Sequence, residues 1–206
     1  MKFAICILTL NEIDGLKKIF DKIPQNEVDE IFVVDGGSTD GTLEFFKRKK
    51  TKVMRQKSKG RGEAFRIAMG KTKSDVIIFF SPDGNEDPCD IPKFKPYFEK
   101  GCDIVIASRM MKGAHNEEDE NKFRWRKWAN NVFNLMANLA FRRKGNYISD
   151  SINGFRAISK KAFDKLRPDG SGYTIEYQMT IRALKQKMKI VEFPTYESSR
   201  IGGESY

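Results

Sequence analysis

Asp83 and Asn85 are two hard oxygen donors at alternate positions, set in the stretch VIIFFSPDGNEDP of residues 76–88. An apolar run that ends in such a turn carries acidic groups to the end of a buried strand. Mg2+ or Mn2+ on a diphosphate needs only one or two protein oxygens, because phosphate and water complete its octahedron. A cation held there neutralises a diphosphate leaving group. Two more loops come after apolar runs: Thr9-Leu10-Asn11-Glu12, and DGGSTDGT at residues 35–42. Asp35 stands before two glycines, so backbone can approach a ligand while the carboxylate accepts hydrogen bonds from a base or ribose. Asp40 and Thr42 read instead as helix-capping groups. Lys59-Gly60-Arg61-Gly62 opens a helical pattern and offers a phosphate cradle, although the glycine-lysine pattern of a Walker A loop is absent. The single histidine, His115, lies in the polar run KGAHNEEDEN and reads as a surface residue.

Alternating elements must position these groups. Strands are expected near residues 3–8, 31–34, 52–55, 76–80 and 103–107, with helices between them at about 12–22 (capped by Asn11), at 41–49 and after Gly60. Strands alternating with helices imply the α/β class, a mostly parallel sheet covered on both faces. The loops after the first, second and fourth strands then meet on one rim, where open α/β sheets bind ligands. Past Arg109 come a polar loop at 110–121, a long helix at 123–141, an extended stretch at 149–158, helices near 159–166 and 174–187, and a strand at 189–193. Neither repeats nor a low-complexity linker interrupt residues 1–206, which read as one domain.

Composition narrows the class. No apolar run reaches the roughly 18 residues needed to span a bilayer, and MKFAICILTLNE reads as a first strand rather than a signal peptide. Three cysteines without a C-x-x-C pair point to a reducing compartment, against a disulfide framework or a structural zinc. The net charge of +10 suits nucleic acid, an anionic membrane surface or phosphate-bearing substrates. Zinc-finger spacing, an RNA-recognition pattern and glycine-arginine tracts are all missing, which argues against nucleic acid.

Seven motifs occur in order: TLNE (9–12), VVDGGSTDGT (33–42), GRGEAFR (60–66), SPDGNEDPCDIP (81–92), ASR (107–109), SINGFR (151–156) and RIGGES (200–205). In them the chain resembles family 2 glycosyltransferases of GT-A fold, of the polyprenyl-phosphate (dolichol-phosphate) mannose or glucose synthase branch. The resemblance implies a Rossmann-like sheet, with residues 1–108 binding the nucleotide sugar and residues 109–206 the acceptor. It implies that Leu10 and Glu12 line the nucleotide pocket, that Asp35 meets the base, and that Arg61 and Ser81 face the nucleotide sugar. Asp83 matches the metal-binding aspartate of the D-x-D motif, and Asn85 the second ligand. Arg109 and Arg126 fall where the lipid phosphate is held, with Asn130 one helical turn on. Arg200 lies in a C-terminal loop that closes over the donor diphosphate, so Asp83 and Arg200 are the residues expected to act on the reacting atoms.

The implied reaction is inverting transfer from a GDP- or UDP-linked sugar to a polyprenyl phosphate, with Mg2+ or Mn2+. A phosphate acceptor is already an anion and needs no base. A saccharide hydroxyl would need one, and Glu86, Asp87, Asp150 and Glu176 are the carboxylates at hand. Gly36 and Ser81 depart from the family pattern, each replacing an aspartate. Ser81 weakens metal binding and keeps a catalytically silent nucleotide-sugar-binding protein as an alternative. Trp125, Trp128, Phe133, Leu135 and Phe141, beside Arg124, Arg126 and Lys127, read either as packing on the sheet or as a membrane interface. The expected location is cytoplasmic, with peripheral membrane contact and no nucleic-acid partner.

Overall fold

The structure is a computed structural model and describes residues 1–120, 124–142, 145 and 147–201. The Gly202–Ser205 end of the last motif and Phe123 lie outside the described residues, as does the side chain of Arg126. Among the described residues, strands β1 (Phe3–Thr9), β2 (Glu30–Asp35), β3 (Lys52–Arg55), β4 (Val76–Phe80), β5 (Ile104–Ser108), β6 (Arg156–Ser159) and β7 (Ile190–Pro194) form one sheet in the order β3-β2-β1-β4-β6-β5-β7. Only β6 runs antiparallel to its neighbours. It comes from the second half of the chain and lies between two strands of the first, so both halves build the same sheet.

Every residue of β1 is buried, as a parallel strand covered on both faces requires. Its side chains alternate between two cores. Ala4, Cys6 and Leu8 join α3 (Arg61–Lys71), α6 (Lys160–Leu166) and α7 (Thr174–Lys185) through Phe65, Phe163 and Met179, and Phe65 stacks on Phe79 with ring centroids 3.8 Å apart. Phe3, Ile5 and Ile7 face α1 (Ile13–Ile19), α2 (Thr42–Arg48) and α4 (Lys95–Glu99) through Leu16, Phe46 and Phe98. Each such phenylalanine or leucine, fully buried, contributes about 1.5–3 kcal/mol.

Three local expectations change. Asn11 does not cap α1: it takes a left-handed φ of 57°, which asparagine tolerates. Its N–H donates to Ser38 Oγ and its Oδ1 accepts from Thr39 N–H, so it ties the first two loops together. Asp40 serves both helices instead, accepting from Ile13 N–H and Thr42 N–H. The helix expected to run to residue 22 stops at Ile19 and tightens into a 3-10 turn at Phe20–Lys22. Between β4 and β5, a 3-10 segment (Pro88–Phe94) and α4 fill a stretch without a helical expectation, where prolines interrupt the period and Phe94 and Phe98 bury against the sheet.

Candidate functional site

Strands β2, β1 and β4 are neighbours and parallel, so their three loops share the carboxyl rim of the sheet. Asp35 is fully buried, and its oxygens accept from Gly37 N–H, Ser38 N–H, Ser38 Oγ and Thr9 Oγ1. Its carboxylate is thus spent on shaping the loop, where a base or ribose contact was expected. Leu10 is half exposed beside this turn. A side chain at Gly36 would meet Gln56 Oε1 at 3.2 Å and Leu10 Cδ1 at 3.4 Å, which leaves little room for the usual aspartate.

The turn after β4 is closed by Glu86, whose Oε2 accepts from Ser81 N–H at 2.7 Å. Gly84 has φ 97°, and a Cβ there would lie 2.5 Å from Ile201. Its absence lets the C-terminal segment dock: Ile201 N–H donates to Asp83 O and Ser198 N–H to Asn85 O. The segment carries Arg200, which donates to Glu12 Oε1 at 2.7 Å and stands 3.7 Å from Asp83 Oδ2. Asn85 Nδ2 donates to Ser198 O and Glu117 Oε2. Burial, with the charge of Asp83 adding to it against Arg200, pushes the Glu12 carboxyl up to about 7. Burial raises Asp83 as well, and it raises Glu86 well above the carboxylate range with Asp83 adding. Glu12 Oε2 is buried with no hydrogen-bond partner among the described residues.

Arg61, Ser81, Asp83, Asn85 and Arg109 converge on a half-open cleft of about 210 Å³, whereas Leu10, Glu12, Asp35, Asn130 and Arg200 are not among its lining. The glycines around Arg61 do not form the expected phosphate cradle. A Cβ on Gly60 would lie 2.1 Å from Ser171 O and one on Gly62 1.8 Å from Gly170 O, while Gly62 N–H donates to Ser171 O. They are glycines so that the 170–172 loop can pack on them. Arg61 itself reaches the cleft, paired through Nε with Glu176 Oε1, its guanidinium lying where a Cβ of Gly154 would be. Glu176 is 1% exposed, and its Oε2 has no partner among the described residues.

Arg109 is engaged, not free. Its Nε and Nη2 donate to the two oxygens of Asp150 at 2.8 and 2.9 Å, and Nη1 donates to Glu197 at 3.1 Å. Asn130, on α5 (Trp125–Phe141), donates to Asp150 Oδ1 at 3.2 Å, so it supports that pair. His115 stacks on Tyr196 with centroids 4.2 Å apart, joining the 110–120 loop to the C-terminal segment. Glu197, in the cleft lining, and Arg156, buried behind it, were given no role from the sequence. Glu197 lies three residues past β7, a parallel strand whose carboxyl end shares the rim, so the rule that found the other loops applies to it. Arg156 is fully buried and donates to Asn153 O, Glu176 O and Ser151 O, fixing the cleft floor; burial pushes its pKa down to about 10. A lone arginine inside an apolar strand pattern was its signal.

An open, mostly parallel sheet with an acidic turn at a central strand and arginines across a rim cleft is the frame of a GT-A fold. Glucosyl-3-phosphoglycerate synthase from Mycobacterium tuberculosis, solved with Mn2+ and uridine-diphosphate-glucose, superposes with a TM-score of 0.74 at 22% identity, covering 97% of this chain and 71% of that one. That likeness concerns the fold. The profile of glycosyl transferase family 2 matches residues 4–167, and the chain belongs to that family. It is 30% identical to a dolichol-phosphate mannosyltransferase of Pyrococcus furiosus, over all of this chain and 59% of that protein. It is 28% identical to glycosyltransferase AglJ of Haloferax volcanii, over 93% of this chain and 62% of the relative. The chain therefore spans about three fifths of the length of these curated relatives.

Proposed function

We propose that the chain moves a sugar, with inversion, from a GDP- or UDP-linked donor to a polyprenyl phosphate. The observation that carries this reading is the meeting of Asp83 and Asn85 with Arg61 and Arg109 in one cleft. Guanidinium groups pair bidentately with phosphate, and a site that joins a sugar diphosphate to a phosphate acceptor needs several of them. The dolichol-phosphate acceptor of the Pyrococcus relative supports the lipid.

The residues fit a divalent cation. Burial raises Glu12, Asp83 and Glu86, and the charge of Asp83 raises Glu12 and Glu86 further, a crowding of carboxyl groups that a cation relieves. Among the described residues no group of three or more acidic, histidine or cysteine side chains stands ready to hold an ion alone. Asp83 and Asn85 would hold Mg2+ or Mn2+ with the donor's own phosphates, and the ion supplies charge neutralisation for the leaving diphosphate. Arg200, docked on Glu12 beside Asp83, would meet that diphosphate, a reading that its 3.7 Å approach to Asp83 Oδ2 supports. Arg109 receives the acceptor phosphate by exchanging one of its carboxylate partners. A phosphate oxygen then bonds to the anomeric carbon as the bond from that carbon to the diphosphate oxygen breaks on the opposite face.

A second reading, transfer to a saccharide hydroxyl, is favoured by the unpartnered Oε2 of Glu176, a carboxylate oxygen available as a base. Radiolabelled donor separates the two: label in an organic-extractable product supports the lipid phosphate, and label in a water-soluble glycan supports the hydroxyl. Asp83→Ala is expected to lower transfer by about 10²–10³-fold or more; full activity with metal present rejects the assignment of Asp83. Donor binding without turnover on either acceptor means that Ser81 marks a silent binding protein.

A further inference from the structure

Asn85 is held at four points. Its N–H donates to Asp83 Oδ1 at 3.2 Å, and its carbonyl accepts from Ser198 N–H. Its side-chain amide spends both hydrogens on the protein, one on Ser198 O at 2.7 Å and the other on Glu117 Oε2 at 3.1 Å. Half a turn about its last bond would exchange Oδ1 for Nδ2, so the partners decide which way such an amide stands. A backbone carbonyl and a carboxylate only accept, and both therefore demand the NH2 end. The oxygen Oδ1 is then what Asn85, in the lining of the cleft, has left to offer a cation.

Glu117 is well seated for this work. It opens a 3-10 turn (Glu117–Glu120) in the loop that His115 fastens to the C-terminal segment. There His115 N–H donates to Thr195 O and Glu197 N–H to His115 O, besides the stacking of His115 on Tyr196. The backbone N–H of Glu117 donates to Glu197 Oε2 at 3.2 Å, and the other oxygen of Glu197 pairs with Arg109. A hydrogen bond to a carboxylate is about twice as strong as one between neutral groups. An amide that gives a hydrogen to a carboxylate also gathers charge on its own oxygen, which makes that oxygen a better ligand. We infer that Glu117 is a positioning residue for the divalent cation: it holds the Asn85 amide with Oδ1 toward the ion and strengthens that oxygen, without touching the ion itself. The inference deepens the metal assignment of Asn85 made under the proposed function, and it rests on that assignment.

The test is the affinity of the full chain for Mn2+ with GDP or with UDP present. Enhanced relaxation of water protons reads it, because that signal separates ion held on protein from ion held on free nucleotide. Glu117→Ala should weaken Mn2+ binding by about tenfold or more. Glu117→Gln keeps an acceptor oxygen without the charge and should recover most of the affinity. In an Asn85→Ala background, Glu117→Ala should cost nothing further, because it acts through that amide. Equal affinities for wild type and Glu117→Ala overturn the inference and leave the metal assignment standing, and so does a full further loss in the Asn85→Ala background. Should Glu117→Ala fail to fold, Glu117→Gln decides: binding as weak as that of Asn85→Ala would show charge alone at work and overturn the inference. A wild-type chain that holds no Mn2+ with either nucleotide rejects the metal assignment, and the inference with it.

Discussion

The rim loops after β1 and β4 and the flank around Arg109 carry their charges differently. On the rim, Glu12, Asp83 and Glu86 crowd together, burial raises all three, and Arg200 is the cation directly paired with two of them. On the flank, Arg109 meets Asp150 bidentately and Glu197 besides. Burial pushes the Asp150 carboxyl up, but Arg109 outweighs it and holds it below the usual range. The rim sets one paired arginine against three carboxyl groups and the flank one arginine against two, so the acidic excess is larger on the rim. On the proposed function, a cation with a diphosphate would relieve the first, whereas an acceptor phosphate would have to break a pair in the second. On that reading, donor and metal would then bind ahead of the acceptor.

The flank is where a substitution should cost most. Asp150→Ala leaves Arg109 without its bidentate partner in a buried setting and should destabilise the fold by about 3–5 kcal/mol, measured by urea unfolding. A loss below about 1 kcal/mol would show the pair to be as weak as a surface ion pair and would erase the contrast. Between the two regions, Gly62→Ala tests the packing that seats Arg61. The added methyl would meet Gly170 O at 1.8 Å, and a backbone carbonyl cannot turn aside as a side chain does. We expect a loss of about 1–3 kcal/mol, whereas Gly172→Ala, with open space around it, should be nearly neutral.

The sequence exposed the rim better than the flank, for a physical reason. Parallel strands buried on both faces are apolar runs, and the chain leaves each of them through a loop on one edge, so Thr9–Glu12, Asp35–Thr42 and Ser81–Asp87 were legible as neighbours. The flank depends on pairings between residues far apart in the chain, such as Arg109 with Asp150 and Arg61 with Glu176, which no spacing announces. The antiparallel insertion of β6 was equally hidden, since an extended stretch at 149–158 does not state which strands it joins. Glycines were legible as close approaches but not by partner: Gly60 and Gly62 accommodate a carbonyl loop rather than a phosphate. Helix α5 was read from its apolar residues, and the three asparagines that decide which face turns inward, Asn130, Asn134 and Asn138, carried no hydrophobic signal.

The smallest expected effect tests the rim's surplus charge directly. Glu12 titrates near 4.5 when unfolded and at about 7 in the folded protein, where burial and Asp83 outweigh Arg200. Between those values the folded state holds a proton that the unfolded state has lost, so folding is favoured at the acid end. That stability is fully present below about 4.5 and is lost as pH rises to about 7. Asp83 and Glu86 are raised too and act in the same direction. Glu12→Gln should therefore flatten, without abolishing, the fall in stability across that window, by about 1–2 kcal/mol. Urea midpoints of the two proteins at several pH values measure it. Saturating donor with Mn2+ should shrink the wild-type slope as well, because a cation beside Asp83 lets the carboxylates ionise at less cost. A slope unchanged by both the substitution and the donor would mean that the rim carries no such excess, and the proposed order of binding would fall with it.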